Sequence, residues 1–332
     1  MSVEGVEVKG RVVLEIKDLR VTFPLGSDDQ PVEILRGVSL QLCEGGVLGL
    51  VGESGSGKSM LVLSILGLLP GRGRISKGSI LLDGEDLCTV SAPRLRDIRG
   101  GSIGTIFQDP MTSLNPVRRI GSLLVETLRR HGSIDRKRAK AAALEALREV
   151  GVPSPQERIR AYPHELSGGL RQRVVIAHAL LNEPRVILAD EPTTALDTTT
   201  QLQILSLLKM RVKNASVLFI THDLGVASEL CDDIAVLYAG RVVERGPTMQ
   251  VLENPRHPYT AGLIAAMPHF MRKREPLKVI LGEPMRLNGV VTGCAFATRC
   301  ERALAKCQTE DPFLQSADGL VHVACWNQLE TK

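Results

Sequence analysis

Apolar positions recur with a period of two along LEIKDLRVTF (14–23) and ILRGVSLQL (34–42), and they run together in GVLGLV (46–51). These are the patterns of half-buried and fully buried strands, punctuated by Gly37, Gly45 and Gly46. After Gly57 the pattern turns helical through LVLSILGLL (61–69) and stops at Pro70-Gly71. GSILLDGEDL (78–87) is a second extended stretch with the Asp-Gly pair of a tight turn. Residues 119–151 read as mostly helical, with Ser133 or Asp135 as the N-cap of RKRAKAAALEALREV. VILAD (186–190) and SVLFITHD (216–223) predict buried strands of a mostly parallel sheet, flanked by helices at 169–182 and about 198–212. DIAVLYAGRVVERG (233–246) predicts a final hairpin turning at Ala239-Gly240, and beyond about residue 265 the Pro, Gly and Cys content leaves room for short elements only.

Strands alternating with helices make this an α/β chain, and 332 residues suffice for one large domain plus something smaller. No uncharged apolar run approaches the roughly 20 residues that span a bilayer. The N-terminal stretch carries acidic residues and no apolar core, so a secretory signal is not expected. The 41 basic and 37 acidic residues are interspersed, which gives no nucleic-acid tail. The seven cysteines are therefore expected in a reducing compartment, where clustered thiols bind metal or do redox work more often than they form disulfides.

Three stretches carry chemistry. GESGSGKS (Gly52, Glu53, Ser54, Gly55, Ser56, Gly57, Lys58, Ser59) lies directly between an apolar strand and a helix. Its spacing is that of a phosphate-binding loop, in which backbone N–H groups turn inward around phosphate oxygens. Lys58 would reach the β- and γ-phosphates and the Ser59 hydroxyl would ligate Mg²⁺. In VILADEPTTALD, four apolar residues deliver Asp190 toward the metal, while Glu191 is placed to polarise an attacking water. In LSGGLRQRVVIAHALL, Ser167 sits at an N-cap position and Gly168 and Gly169 leave backbone amides open. Two anion-binding helix starts in one chain suggest two half-sites that meet.

The ordered set GESGSGKS, Gln108 in IFQDP, LSGG, VILADEP, ALD and His222 in ITHD resembles an ATP-binding cassette (ABC) ATPase over about residues 14–265. The resemblance implies a P-loop NTPase core with an antiparallel β subdomain, and a helical subdomain at about 105–174. It implies two cassettes packed head to tail, with Ser167, Gly168 and Gly169 closing on the ATP held by the partner. Gln108 would touch Mg²⁺ and water, Glu191 would be the general base, His222 would pin the γ-phosphate, and Asp197 would work across the dimer interface. Phe23 matches the aromatic that stacks on adenine, although a core position on an early strand would equally explain it. The fifth position of the LSGGQ pattern is Leu170, and a glutamine appears only at Gln172.

IFQDPMTSLNP and NPRHPYTAGLIAAMP (254–268) resemble the ATPase subunits of bacterial oligopeptide and dipeptide importers. That branch implies a different second ATPase chain, two transmembrane permease subunits, indirectly a substrate-binding protein, and a place on the cytoplasmic face of the inner membrane. Import of nickel or another small solute is the alternative, and a soluble non-transport ATPase a more distant one. The branch also carries a cysteine-containing C-terminal segment, here 266–332, with Cys294, Cys300, Cys307 and Cys325. Their C-x5-C-x6-C-x17-C spacing is neither that of a zinc ribbon nor that of a bacterial ferredoxin. The resemblance implies a [4Fe-4S] cluster on these four; zinc and free buried thiols are the alternatives. Cys43, Cys88 and Cys231 are scattered singly and read as ordinary core or surface residues.

Overall fold

The computed structural model describes residues 10–24, 31–109, 113–193, 198–211, 215–267, 280–285, 287, 289 and 291–330. The chain divides into two compact units, one of residues 1–43, 47–89 and 221–332, the other of 44–46 and 90–220.

In the first unit β1 (Val12–Phe23) pairs antiparallel with both β2 (Val32–Cys43) and the later β4, so their alternating apolar residues share one buried face. β3 (Val47–Val51) is buried at every position and runs through the phosphate-loop sequence into α1 (Lys58–Ile65). That helix is shorter than its apolar run, because Leu68 N–H turns back to Leu63 O at 2.8 Å around Gly67. β4 (Arg74–Leu82) and β5 (Glu85–Asp86) form the expected hairpin at Asp83-Gly84, where both residues have positive φ (47° and 87°).

The second unit opens with α2 (Ala92–Ile98) and β6 (Ile103–Ile106), followed by α3 (Ile120–His131) and α4 (Arg136–Glu149). Asp135 caps α4, accepting from Lys137 N–H and Arg138 N–H at 2.8 and 3.0 Å. α5 (Gly168–Leu180), β7 (Val186–Asp190), α6 (Thr198–Arg211) and β8 (Ser216–Thr221) complete it, with β6, β7 and β8 parallel.

The chain then returns to the first unit through α7 (Leu224–Leu230) to β9 (Asp233–Tyr238) and β10 (Arg241–Pro247). β9 pairs parallel with β3 and antiparallel with β10, so this is a mixed sheet. α8 (Thr248–Glu253) and α9 (Pro258–Ala265) follow. The 233–246 hairpin is not the last: β11 (Gln315–Ser316) and β12 (His322–Val323) come later, and β12 pairs with β10 through Glu244↔Val323 and Arg245↔His322. Strands of two residues are too short to leave a periodic signal. Among the described residues no helix is long and apolar enough to cross a membrane.

The hairpin tip fixes the phosphate loop. Gly240 N–H donates to Ser56 O at 2.9 Å, and Gly240 O accepts from Arg36 N–H at 2.8 Å. A Cβ on Gly240 would lie 2.1 Å from Ile34 O, at a φ of +77°. Both the backbone clash and the left-handed conformation oppose any side chain there. Gly240→Ala is expected to destabilise the fold by about 2 kcal/mol or more. Urea unfolding of the variant against the parent chain checks this.

Candidate functional site

In the first unit the loop from Gly52 to Gly57 leaves a fully buried strand and enters α1. A Cβ on Gly52 would meet Leu237 O at 2.2 Å, so only glycine allows the strand to end against β9. Lys58 is buried, and its ammonium donates to Gly52 O at 2.7 Å and Glu53 O at 2.9 Å, which sets a positive charge in the throat of the loop. Ser59 and Ser54 are exposed. Phe23, at the end of β1, is half-buried, and its ring tip lies where a Cβ on Gly73 would come within 2.4 Å. His222 follows β8 and is exposed, while its neighbour Asp223 caps α7 by accepting from Gly225 N–H at 2.8 Å.

Glu53 is held at both its backbone and its side chain. Its N–H donates to Tyr259 Oη at 2.9 Å, and its carboxylate takes both arms of the Arg299 guanidinium, at 2.7 and 3.0 Å. Tyr259 is fully buried, and burial pushes its phenol above the usual range. It is positioned by the NPRHPYT stretch: Tyr259 N–H donates to His257 Nδ1 at 3.0 Å, starting α9. The backbone N–H groups of Arg256 and His257 in turn donate to the Glu244 carboxylate at 2.6 and 3.0 Å. Burial lowers His257 to about 3, so the ring stays neutral with its proton on Nε2. Burial likewise raises Glu244 to about 6, against the pull of these hydrogen bonds.

In the second unit the register pair Ile106↔Ala189 lies at the ends of β6 and β7. Two residues beyond each partner stand Gln108 and Glu191, and Gln108 Nε2 donates to Glu191 Oε2 at 2.9 Å. Asp190 is buried at the end of its strand. Glu191 turns away from it with a φ of +46° and an N–H that donates to Ile220 O at 3.0 Å. Gln172 is buried, and its Nε2 donates to Pro192 O at 2.6 Å, so it supports the loop after Glu191 from beneath. Ser167 caps α5 by accepting from Leu170 N–H at 3.4 Å. Gly168 is exposed, and a Cβ there would meet no atom within 4 Å, so the chain's own packing does not demand a glycine. Asp197 lies outside the described residues.

The four C-terminal cysteines are free thiols that line one small cavity, with Phe296 and Trp326 among its walls. Leu304 N–H points to Cys307 Sγ and Asn327 N–H to Cys325 Sγ, both at 3.4 Å. The backbone N–H groups of Phe296 and Arg302 serve Cys294 and Cys300 in the same way. Among the described residues no three Cys, His, Asp or Glu side chains are arranged to hold one metal ion. Cys231 is buried, Cys43 half-buried and Cys88 exposed, each apart from this cavity.

Sequence reading brought out the phosphate loop, Glu191 and the cysteines, and it missed Tyr259, Arg299, Glu244 and Gln172 as parts of the site. NPRHPYT was visible as a stretch, but nothing local in it points at a loop 200 residues earlier.

An ABC transporter family model matches residues 35–194, and a model for the oligopeptide/dipeptide transporter C-terminal region matches 243–307. The chain is 46% identical to the probable D,D-dipeptide transport ATP-binding protein DdpD of Escherichia coli K12, over 95% of this chain and 96% of that one. It is 44% identical to the oligopeptide transport ATP-binding protein OppD of Bacillus subtilis 168, over 95% of this chain and 88% of that one. Among solved structures it is similar to a dimeric ATP-binding cassette in a post-hydrolysis state with ADP and Pi bound. That likeness has a TM-score of 0.64 at 30% identity, over 71% of this chain and 98% of that one. At such identity over nearly the full length of its relatives, this chain belongs to the ATP-binding subunits of the oligopeptide/dipeptide family of ABC transporters.

Proposed function

We propose that the chain hydrolyses ATP to power import of oligopeptides or dipeptides across the bacterial inner membrane. The observation that carries the catalytic part is the Gln108–Glu191 hydrogen bond at the ends of two parallel strands. It holds a carboxylate next to an amide that can share the same water, beside the buried Asp190. In this reading Glu191 is the general base, Gln108 orients the water and touches Mg²⁺, and Asp190 and Ser59 complete the metal's surroundings. Gly52–Ser59 wraps the phosphates and Lys58 neutralises them. His222 contacts the γ-phosphate and Phe23 stacks on the base. The residues fit ATP·Mg²⁺: Lys58 is already turned into the loop, and the acidic groups stand at strand ends.

Ser167, Gly168 and Gly169 close on the ATP of a second cassette, which the open space around Gly168 supports. That second cassette is a different chain, with Asp197 at the interface. Residues 14–265 form the cassette, and about 105–174 form the helical subdomain that docks on two permease subunits at the cytoplasmic face. A substrate-binding protein supplies the peptide.

We propose that the cysteine cavity of the 266–332 segment holds a [4Fe-4S] cluster. The four cysteines line one cavity, and a backbone N–H is directed at each sulfur, which would favour thiolates bound to iron. Cys294, Cys300, Cys307 and Cys325 would hold it, and when bound it supplies a covalent staple for a segment with little core of its own.

Glu191→Gln is expected to lower ATP turnover by at least about 100-fold while ATP binding persists. Turnover and equilibrium ATP binding measured on the same preparation check this, and parental turnover in the variant would sink the assignment. Anaerobically purified protein is expected to carry about four irons and as many acid-labile sulfides, both lost in Cys300→Ser. Stoichiometric zinc without sulfide would replace the cluster reading.

A further inference from the structure

We propose that Arg299 is a positioning residue for the phosphate-binding loop, and that the state of the cysteine cavity sets ATP affinity through it. The proposal rests on the reading of residues 52–59 as the ATP site.

Arg299 closes the single helical turn Ala297–Arg299, which lies between Cys294 and Cys300. Its side chain is 4% exposed, although the residue belongs to a segment of short elements. Four contacts fix the guanidinium. Two are the paired hydrogen bonds to Glu53, at 2.7 and 3.0 Å. The third runs from Nε to Leu281 O at 3.1 Å, and the fourth from Nη1 to Tyr238 Oη at 3.4 Å. The group also lies over the rings of Tyr238 and Phe296, with its carbon 5.9 and 5.8 Å from their centroids. A bidentate fork on a carboxylate fixes direction as well as distance, which a lysine cannot do.

Glu53 is the second residue of the phosphate loop, and its N–H is already committed to Tyr259. Arg299 therefore settles where the carboxylate goes. Engaged, the carboxylate is paired and its charge offset; released, it is an unpaired anion beside a site that must accept a polyphosphate. Three residues of 3₁₀ helix have little stability of their own. The aim of Arg299 depends on what holds the turn: Ala297 N–H donates to Cys294 O at 3.0 Å, and Cys300, directly after Arg299, donates its N–H to Ala297 O at 3.3 Å. Phe296, directly before the turn, walls the cysteine cavity and packs against Tyr238 and Tyr259, at centroid distances of 5.3 and 5.4 Å. Arg299 thus joins the thiol pocket to Glu53, 246 residues away in sequence, alongside the packing of Phe296 on Tyr259. The coupling is reciprocal, so ATP should also protect the cysteine pocket.

The test uses the full chain. ATP affinity is measured by calorimetry for the parent, Arg299→Ala, Cys300→Ser and the double variant, each with its iron content and melting temperature. Each single change is expected to weaken ATP binding by about 5- to 20-fold, and the double change no more than the weaker-binding single. Arg299→Lys should rescue little, because charge without the fork does not fix the carboxylate. ATP is also expected to slow the reaction of the C-terminal thiols, or the release of iron to a chelator, in the parent but not in Arg299→Ala. Unchanged ATP affinity in Cys300→Ser, multiplicative losses in the double variant, or equal ATP protection in Arg299→Ala would each overturn the coupling. Should Cys300→Ser fail to fold, the ATP-protection comparison between the parent and Arg299→Ala decides alone. A metal-free parent with the same pattern of affinities keeps the coupling and removes only the cluster. A parent that binds no ATP overturns the ATP-site reading itself.

Discussion

A loop that offers its backbone N–H groups to an anion cannot use those groups to hold its own shape. The rest of the first unit answers that constraint. Gly52 is pressed against the β9 carbonyl of Leu237, Ser56 O is taken by Gly240 N–H, and Lys58 ties the carbonyls of Gly52 and Glu53. Glu53 N–H is committed to Tyr259, and its carboxylate to Arg299. Supports from β9, the β9–β10 turn, α9 and the C-terminal segment therefore converge on one short loop. The helix dipole of α1 adds a favourable field for anions but no shape. Shape comes from these neighbours, including Tyr259 and Arg299 from beyond residue 240.

The supports themselves contain buried polar groups, which are costly unless fully paired. Glu244 sits at zero exposure and accepts two backbone N–H bonds from the NPRHPYT turn, while His257 is neutral and takes the next one. This relay from β10 to Tyr259 is polar at every step, and each step has one geometry that satisfies it. A second polar tie lies at Asp311, which accepts from Arg36 at 2.6 Å and also pairs with Arg241. Charged contacts at Arg299, Asp311 and Asp318, together with β12, thus fasten the C-terminal segment to the rest of the first unit.

Much of this was legible in the chain. The phosphate loop and the strand before it are contiguous, so spacing and burial pattern sufficed. The Asp83-Gly84 and Ala239-Gly240 turns carry local chemistry, and Asp135 is a cap one residue before its helix. Glu191 and Gln108 were visible one at a time, but their meeting depends on the parallel pairing of β6 with β7, which motif spacing does not encode. The glutamine displaced to position 172 illustrates the limit. By sequence it looked like a misplaced member of the LSGGQ pattern, whereas it is buried and braces Pro192 O. Arg299 was hidden for a different reason: an arginine between two cysteines has no periodicity, and its partner lies 246 residues away.

The Arg299–Glu53 pair is better understood as a device for specificity than for stability. Desolvating two charges offsets much of their attraction, so a pair of this kind adds modestly to the folding free energy. What it does add is direction, because a planar fork on a carboxylate admits few alternatives. Glu53 can thus be an acid in a loop built for phosphates: the pairing removes its charge from the field and makes the residue a handle. The handle is held by a single helical turn that lies between Cys294 and Cys300. A firm loop joined to that turn through one guanidinium is an arrangement in which a change at the cysteines would be felt at Glu53.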